Sequence, residues 1–206
     1  MGELGPVPDA PLLWQPSEKF IEESNVAEYM RWLLRGRGLN FANYNELREW
    51  SVTDLESFWS SIWDFFDVIG SRGEDVLDNQ TMPGSKWFSG STLNYSNNAL
   101  RYSGQNAAIV AWSESRQPIT LSYDELRTNT ASFAASLREL GVKKGDRVVG
   151  LLPNIPEAII AFLATASIGA IWSSCSPEFG TRSVIDRFNQ IKPKVLITAN
   201  RYVYGG

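Results

Sequence analysis

From residue 107 onward, short apolar runs alternate with longer stretches in which apolar residues recur every three or four positions. The short runs are rich in β-branched residues and are bounded by glycine, proline or polar turns, a pattern typical of strands. Three of them, at 147–152, 170–174 and 194–199, are separated by helical stretches long enough to act as crossovers. This order predicts an α/β fold, a parallel sheet with crossover helices.

A β-hairpin and a helix are predicted before this sheet. The runs AAIVAW and PITLSY flank the polar turn SESRQ, as in two short antiparallel strands. Ser122 and Glu125 then have the spacing of a capping box, and Gly141 ends the apolar periodicity of the helix that follows.

Two further helices are predicted as the crossovers. Asn154 is the candidate cap of the first, Pro156 suits its first turn, and Gly169 ends it. The second ends before Pro193 and has a periodic apolar stripe: Val184, Ile185, Phe188 and Ile191.

The first 100 residues read as a helical leader that is rich in tryptophan, since it holds six of the eight tryptophans. One helix is predicted from a cap at Ser24 or Asn25 to a stop at Gly36. A second helix is predicted to begin near Thr53, because Thr53 and Glu56 have capping-box spacing. Its apolar residues recur at helical spacing: Leu55, Phe58, Trp59, Ile62, Trp63 and Phe66. Core packing explains this stripe better than an aromatic ligand cage, because no polar residues are positioned to support a ligand.

A turn-rich connector, residues 81–100, follows the leader and ends in a helix start near Asn94. We therefore predict two regions. Residues 1–100 form the leader and connector, and residues 101–206 form the first part of an α/β domain.

Composition narrows the classes of function. A formal charge of −4 gives no electrostatic case for nucleic acid, and no apolar run approaches the ~20 residues of a membrane span. One cysteine cannot form an internal disulfide, which fits a cytoplasmic protein. Because histidine is absent, Ser-His and Cys-His nucleophiles and imidazole metal ligands are excluded within these residues, and no metal site is predicted.

In an open parallel sheet, ligands bind beyond the carboxyl ends of the strands. Here those ends lead into LLPNIPE, SSCSPEFGT and NRYVYGG. None contains the glycine pattern of a dinucleotide fold or of a P-loop. Cys175 lacks a histidine partner, so it is interpreted as a small packed residue rather than as a nucleophile.

Four stretches together resemble the N-terminal part of acyl-CoA synthetases, which belong to the adenylate-forming superfamily: WFSGSTLNYSNNAL, LSYDEL, GVKKGDRVVGLLPNIPEAIIAFLATASIGAIWSS and SPEFGTRSVIDRFNQIKPKVLITA. Where acetyl- and propionyl-activating members have an aromatic-Gly-Gly-aromatic segment, this chain has Ser176-Pro177-Glu178-Phe179. The resemblance is therefore strongest to the branch that activates acetoacetate.

The resemblance implies an AMP-forming ligase that uses ATP, CoA and Mg²⁺ to convert acetoacetate to acetoacetyl-CoA through acetoacetyl-AMP. The family's ATP-binding and catalytic motifs have no match in these residues, so no catalytic residue is assigned and we expect the chain alone to be inactive. The resemblance assigns CoA binding to Ser176, Pro177, Glu178, Arg201 and Tyr204. Related enzymes often have arginine at the position of Tyr204, and Arg201 or Arg187 is the candidate replacement.

Two alternatives stay open. The chain could belong to a ligase for another short acid, such as acetate or propionate, because the resemblance places most of the acyl pocket in later residues. It could also be a non-catalytic module that binds CoA or a partner protein.

Overall fold

The structure is a computed structural model that describes residues 11, 13–114 and 116–203. The helices are α1 (Glu18–Glu22), α2 (Asn25–Arg37), α3 (Tyr44–Thr53), α4 (Leu55–Phe65), α5 (Tyr95–Ala99), α6 (Tyr123–Glu139), α7 (Pro156–Ser167) and α8 (Thr181–Ile191). The strands are β1 (Gly70–Ser71), β2 (Leu77–Asn79), β3 (Lys86–Trp87), β4 (Thr92–Leu93), β5 (Ala107–Ala111), β6 (Ile119–Ser122), β7 (Arg147–Leu151), β8 (Ile171–Cys175) and β9 (Val195–Thr198).

The chain forms two compact units. The first contains residues up to 68 together with 73–90, and the second contains 69–72 together with the residues from 91 onward.

The first unit packs α2, α3 and α4 around an aromatic core. Its buried residues are Tyr29, Leu33 and Leu47, and Phe58, Ile62 and Phe65 of α4 pack against them. The Tyr29 hydroxyl bonds to Ser61 Oγ at 2.5 Å, and Ser61 Oγ donates to the Phe58 carbonyl at 2.6 Å. Burial raises the pKa of Tyr29. The stripe predicted on α4 therefore serves in part as core.

The ends of these helices differ from two predictions. Gly36 lies inside α2, and the helix ends at Gly38, which has the left-handed φ of 68° that glycine adopts without strain. At the start of α4 the cap is Asp54, whose side chain accepts from the Ser57 amide. Thr53 instead ends α3 and donates its hydroxyl to the Glu49 carbonyl.

The second unit contains a three-stranded parallel sheet in the order β8-β7-β9. Val148 and Val149 on β7 are both fully buried, although consecutive side chains of a strand point to opposite faces. Val148 packs with Leu137 of α6 and Ala164 of α7, and Val149 packs with Phe188 of α8. Helices thus cover both faces of the sheet.

Burial is less complete on the strands that flank β7. We expected 170–174 to form a second buried strand, but Ile171 on β8 is exposed. Leu196 on β9 is exposed as well. In the described residues each of these strands pairs with β7 along one edge only, and no strand pairs with its other edge.

The predicted hairpin is confirmed, since β5 and β6 pair antiparallel. The capping box of α6 is also confirmed. The Glu125 amide donates to Ser122 Oγ at 3.2 Å, and the Ser122 amide donates to Glu125 Oε2 at 2.8 Å. The cap predicted for α7 is wrong, because Ile155 occupies that position without a side-chain hydrogen bond.

Arg147 and Asp146 connect the amino-terminal end of β7 to the end of α8 and to the segment between α8 and β9. The Arg147 guanidinium donates to the carbonyls of Ile191, at 2.9 Å, and Lys192, at 3.3 Å. Asp146 forms an ion pair with Lys194 at 3.1 Å. The hydrogen bond from the Lys143 amide, and then the one from Lys194, lowers the pKa of Asp146.

Candidate functional site

The three parallel strands end side by side. In the register of the sheet, Leu151 lies opposite both Cys175 and Thr198. The segments that follow, residues 152–155, 176–180 and 199–203, therefore leave the same edge of the sheet. This is the edge at which open α/β sheets bind ligands.

The segment after β8 is ordered by its own side chains. Ser176 Oγ donates to Glu178 Oε2 at 2.6 Å, and the Phe179 amide donates to the Ser176 carbonyl at 3.2 Å. The Arg187 guanidinium lies over the Phe179 ring, 4.7 Å from its centroid. Arg187 is thus held by a cation–π contact with the loop after β8.

The segment after β9 contacts this loop directly. The Tyr202 hydroxyl donates to the Pro177 carbonyl at 3.2 Å. Arg201 lines a pocket of about 620 Å³ beside this contact. Tyr204 lies outside the described residues.

The predicted CoA-binding residues do not all line one cavity. Arg201 lines the pocket just described, whereas Ser176 lines a neighbouring cleft of about 490 Å³ with Trp172 and Cys175. Glu178 lines neither cavity, and its carboxylate accepts the hydrogen bond from Ser176 Oγ. The contact between Pro177 and Tyr202 joins the two loops.

Two residues of the hairpin connection were not predicted as part of this edge. Trp112 and Arg116 line the same pocket as Arg201, together with Asn154 and Tyr202. The Trp112 side chain is 78% exposed, although tryptophan is usually well buried. A tryptophan at the end of a strand, followed within a few residues by an arginine, was the available signal in the sequence.

Cys175 is confirmed as a packed residue. It is 6% exposed and lies with Val149, Val184 and Phe188 in the core between the sheet and α8. Such a thiol fills space at the end of β8.

Across the described ranges, no group of three or more His, Cys, Asp or Glu side chains is arranged to hold a metal ion. In the same residues, no helix has the length and apolarity needed to cross a bilayer.

Two family models match the chain. The model described as "AMP-binding enzyme" matches residues 96–204, and the one described as "Acetyl-coenzyme A synthetase N-terminus" matches residues 44–99.

Individual relatives match nearly all of the chain. It is 41% identical to the acetoacetyl-coenzyme A synthetase of Rhizobium meliloti (strain 1021) over 94% of this chain and 30% of that protein. It is 30% identical to a malonamoyl-CoA synthetase of Penicillium aethiopicum over 95% of this chain and 28% of that protein. Among solved structures, the acetoacetyl-CoA synthetase from Streptomyces lividans superposes with a TM-score of 0.89 and 43% identity, over 96% of this chain and 31% of that one. The chain thus spans about 30% of the length of the curated relatives it matches.

Proposed function

The chain belongs to the family of AMP-binding enzymes, and from this membership we propose that it is part of an AMP-forming ligase that joins acetoacetate to CoA. The observation that carries the proposal is the agreement in sequence and backbone with the Streptomyces lividans enzyme over 96% of this chain. The segment Ser176-Pro177-Glu178-Phe179, which the sequence resemblance associates with the acetoacetate branch, supports the same substrate.

The proposed reaction has two steps. In the first, a carboxylate oxygen of acetoacetate attacks the α-phosphorus of ATP, and pyrophosphate leaves. In the second, the CoA thiol attacks the acyl carbon and displaces AMP. Mg²⁺ bound to the phosphates would offset their charge in the first step. The thiol that reacts belongs to CoA, so the buried Cys175 has no part in it.

We assign to this chain a share of the CoA site at the carboxyl edge of the sheet. Ser176, Pro177 and Glu178 form an ordered loop, and Arg201 supplies a cation that suits a phosphate group. Tyr204 completes the assignment made from the sequence. No residue of the chain is assigned to ATP or to Mg²⁺.

We also propose a division of the chain into a leader and connector, residues 1–100, and the first part of the AMP-binding α/β domain, residues 101–206. The two family models support it, since one ends at residue 99 and the other begins at residue 96.

A chimera tests the proposed activity. The matching 31% of the Streptomyces lividans enzyme would be replaced by this chain, and acetoacetyl-CoA formation would be measured with ATP, acetoacetate and CoA. We expect the chimera to turn over and the 206-residue chain alone to be inactive. A chimera that folds but makes no acetoacetyl-AMP would refute the proposal.

A second candidate is a ligase for a different small acid. The 30% identity to a malonamoyl-CoA synthetase favours keeping it, because proteins named for different acids share this region. A matched chimera with the remainder of an acetyl-CoA synthetase distinguishes the two candidates. The acetoacetate assignment predicts that this second chimera is the less active one, relative to its own parent enzyme.

A further inference from the structure

The turn of the β5–β6 hairpin helps to line the pocket at the carboxyl edge of the sheet. It contributes Trp112 and Arg116 to this lining. The loop after β7 contributes Pro153 and Asn154, and the segment after β9 contributes Arg201. Residues far apart in sequence thus surround about 620 Å³ of space.

The charge inside the pocket is positive, although the chain as a whole is negative. Two arginines and no carboxylate occur among the described residues that line it. Within the described part of the chain, neither Arg116 nor Arg201 has an ion-pair partner. Guanidinium groups without a carboxylate partner remain available for phosphate, which they bind through two parallel hydrogen bonds.

The pocket also exposes aromatic surface. The Trp112 indole is 78% exposed, and Tyr202 is 45% exposed while its hydroxyl is held by Pro177. Exposed rings beside cations are a typical platform for a nucleotide, because every base has a face that can stack. An aliphatic ligand would need neither the arginines nor the flat rings.

We propose that Trp112 and Arg116 bind the adenine nucleotide end of CoA, with the indole stacked on adenine and Arg116 paired with the phosphates together with Arg201. The inference rests on the proposed function, because that function makes CoA a substrate. It adds the hairpin turn to a site that sequence reasoning confined to the loops after β8 and β9.

Binding to the full 206-residue chain tests the inference. Isothermal titration calorimetry would compare CoA, adenosine 3′,5′-bisphosphate and AMP. We expect the first two to bind with similar affinity, because they share the nucleotide and its 3′-phosphate. Trp112→Ala should weaken both by about tenfold through loss of stacking, and Arg116→Gln by about fivefold through loss of a charged contact. Trp112→Phe should recover part of the loss. If AMP binds as tightly as adenosine 3′,5′-bisphosphate, the site does not recognise CoA and the assignment is wrong.

Matched controls lie elsewhere on the surface. Trp14 is 70% exposed and belongs to the first unit, and Arg138 is an exposed arginine in the last turn of α6. Trp14→Ala and Arg138→Gln should leave CoA affinity unchanged. If they weaken binding as much as the hairpin variants do, the effect is nonspecific and the inference fails.

The outcomes separate this inference from the proposed function. If the hairpin variants bind CoA like the wild type while Arg201→Gln binds it weakly, the hairpin is not part of the site. The proposed function would not be affected by this result. A wild-type chain that does not bind CoA also overturns the inference, and the chimera assay then decides the function by itself. In an active chimera, Trp112→Ala should raise the KM for CoA about tenfold with little change in kcat, because stacking at the nucleotide end is remote from the reacting thiol.

Discussion

Gly150 lies on the middle strand of the parallel sheet, where the Trp172 ring leaves no room for a side chain. A Cβ atom added at Gly150 would lie 2.6 Å from Cη2 and 2.7 Å from Cζ2 of that indole. Glycine in a strand interior often marks such a close approach. The absence of one methyl group thus lets the ring pack on the sheet beside Val148.

Substituting Gly150 should therefore destabilise the second unit. Gly150→Ala is expected to lower the free energy of unfolding by about 1–3 kcal/mol, because the indole must leave its position. Urea titration followed by near-ultraviolet circular dichroism would report both the stability and the displaced ring.

Gly36 provides the matched control for this substitution. It lies inside α2, and a Cβ atom there would meet nothing within 4 Å. Gly36→Ala should raise stability by about 0.5 kcal/mol, since alanine is the better helix former. Equal effects of the two substitutions would contradict the packing argument.

At the scale of elements, α6 depends on the capping box at its start. Ser122→Ala removes the acceptor for the Glu125 amide and the hydroxyl that donates to the Glu125 carboxylate. We expect the free energy of unfolding to fall by about 1 kcal/mol, as for the loss of other serine caps. Thermal unfolding at neutral pH would measure the change.

The effect of Ser122→Ala should also depend on pH. Hydrogen bonds from the Ser122 backbone amide, and then from its hydroxyl, lower the pKa of Glu125. A carboxyl whose pKa is lowered by folding stabilises the fold above its unfolded pKa and loses this effect as the pH falls through its folded pKa. The difference between the wild type and Ser122→Ala should narrow below about pH 4.

Ser132→Ala, at an exposed position on the same helix, provides the comparison. It should be as stable as the wild type or slightly more stable, and its difference from the wild type should not change with pH. If Ser122→Ala behaves in the same way as Ser132→Ala, the capping box of α6 contributes nothing to the free energy of unfolding.

The sequence patterns predicted where these helices lie in the chain, but several of the predicted first and last residues differ from the structure. The capping box of α6 and the helix start near Asn94 are confirmed, and in both helices a side chain before the first turn accepts from an amide of that turn. The cap expected at Asn154 is not used, since Pro156 already fixes the first turn of α7 and removes one amide that would need a partner. Which of two nearby glycines ends a helix depends on the backbone angle, which composition does not reveal.

The candidate site could be predicted only in part for a related reason. Parallel strands end at one edge, so the pattern alone predicts that the segments after β7, β8 and β9 lie together. The hairpin belongs to a separate two-stranded sheet, and nothing in that rule places its turn at the same edge. Trp112 and Arg116 became candidates only when the tertiary structure placed them beside Arg201.

At the scale of the whole molecule, the second unit includes residues 69–72, which lie in sequence between the two parts of the first unit. Gly70 and Ser71 pair with Leu93 and Thr92. Asn98 also holds this segment to the second unit. Its side chain accepts from the Ile69 amide at 2.8 Å and donates to the Ile69 carbonyl at 3.0 Å. A boundary drawn at residue 91 would separate these partners.

Two truncations test this organisation. A chain of residues 69–206 should unfold cooperatively, whereas residues 91–206 should be less stable by about 2 kcal/mol, because at least two backbone-to-side-chain hydrogen bonds are lost. Urea unfolding monitored by far-ultraviolet circular dichroism would compare them.

Asn98→Ala in the longer truncation is the control, since it removes both bonds to Ile69 without shortening the chain. It should lower the free energy of unfolding of the longer truncation by most of the difference between the two truncations. Truncations of equal stability would place residues 69–72 outside the second unit.

The bonds that Arg147 makes to the last carbonyls of α8 have a consequence for how such a protein diverges. They lie at the amino-terminal end of β7, whereas the candidate site lies beyond the carboxyl ends of the strands. Selection can therefore exchange residues in the segments after the strands without loosening the contacts that hold sheet and helix together.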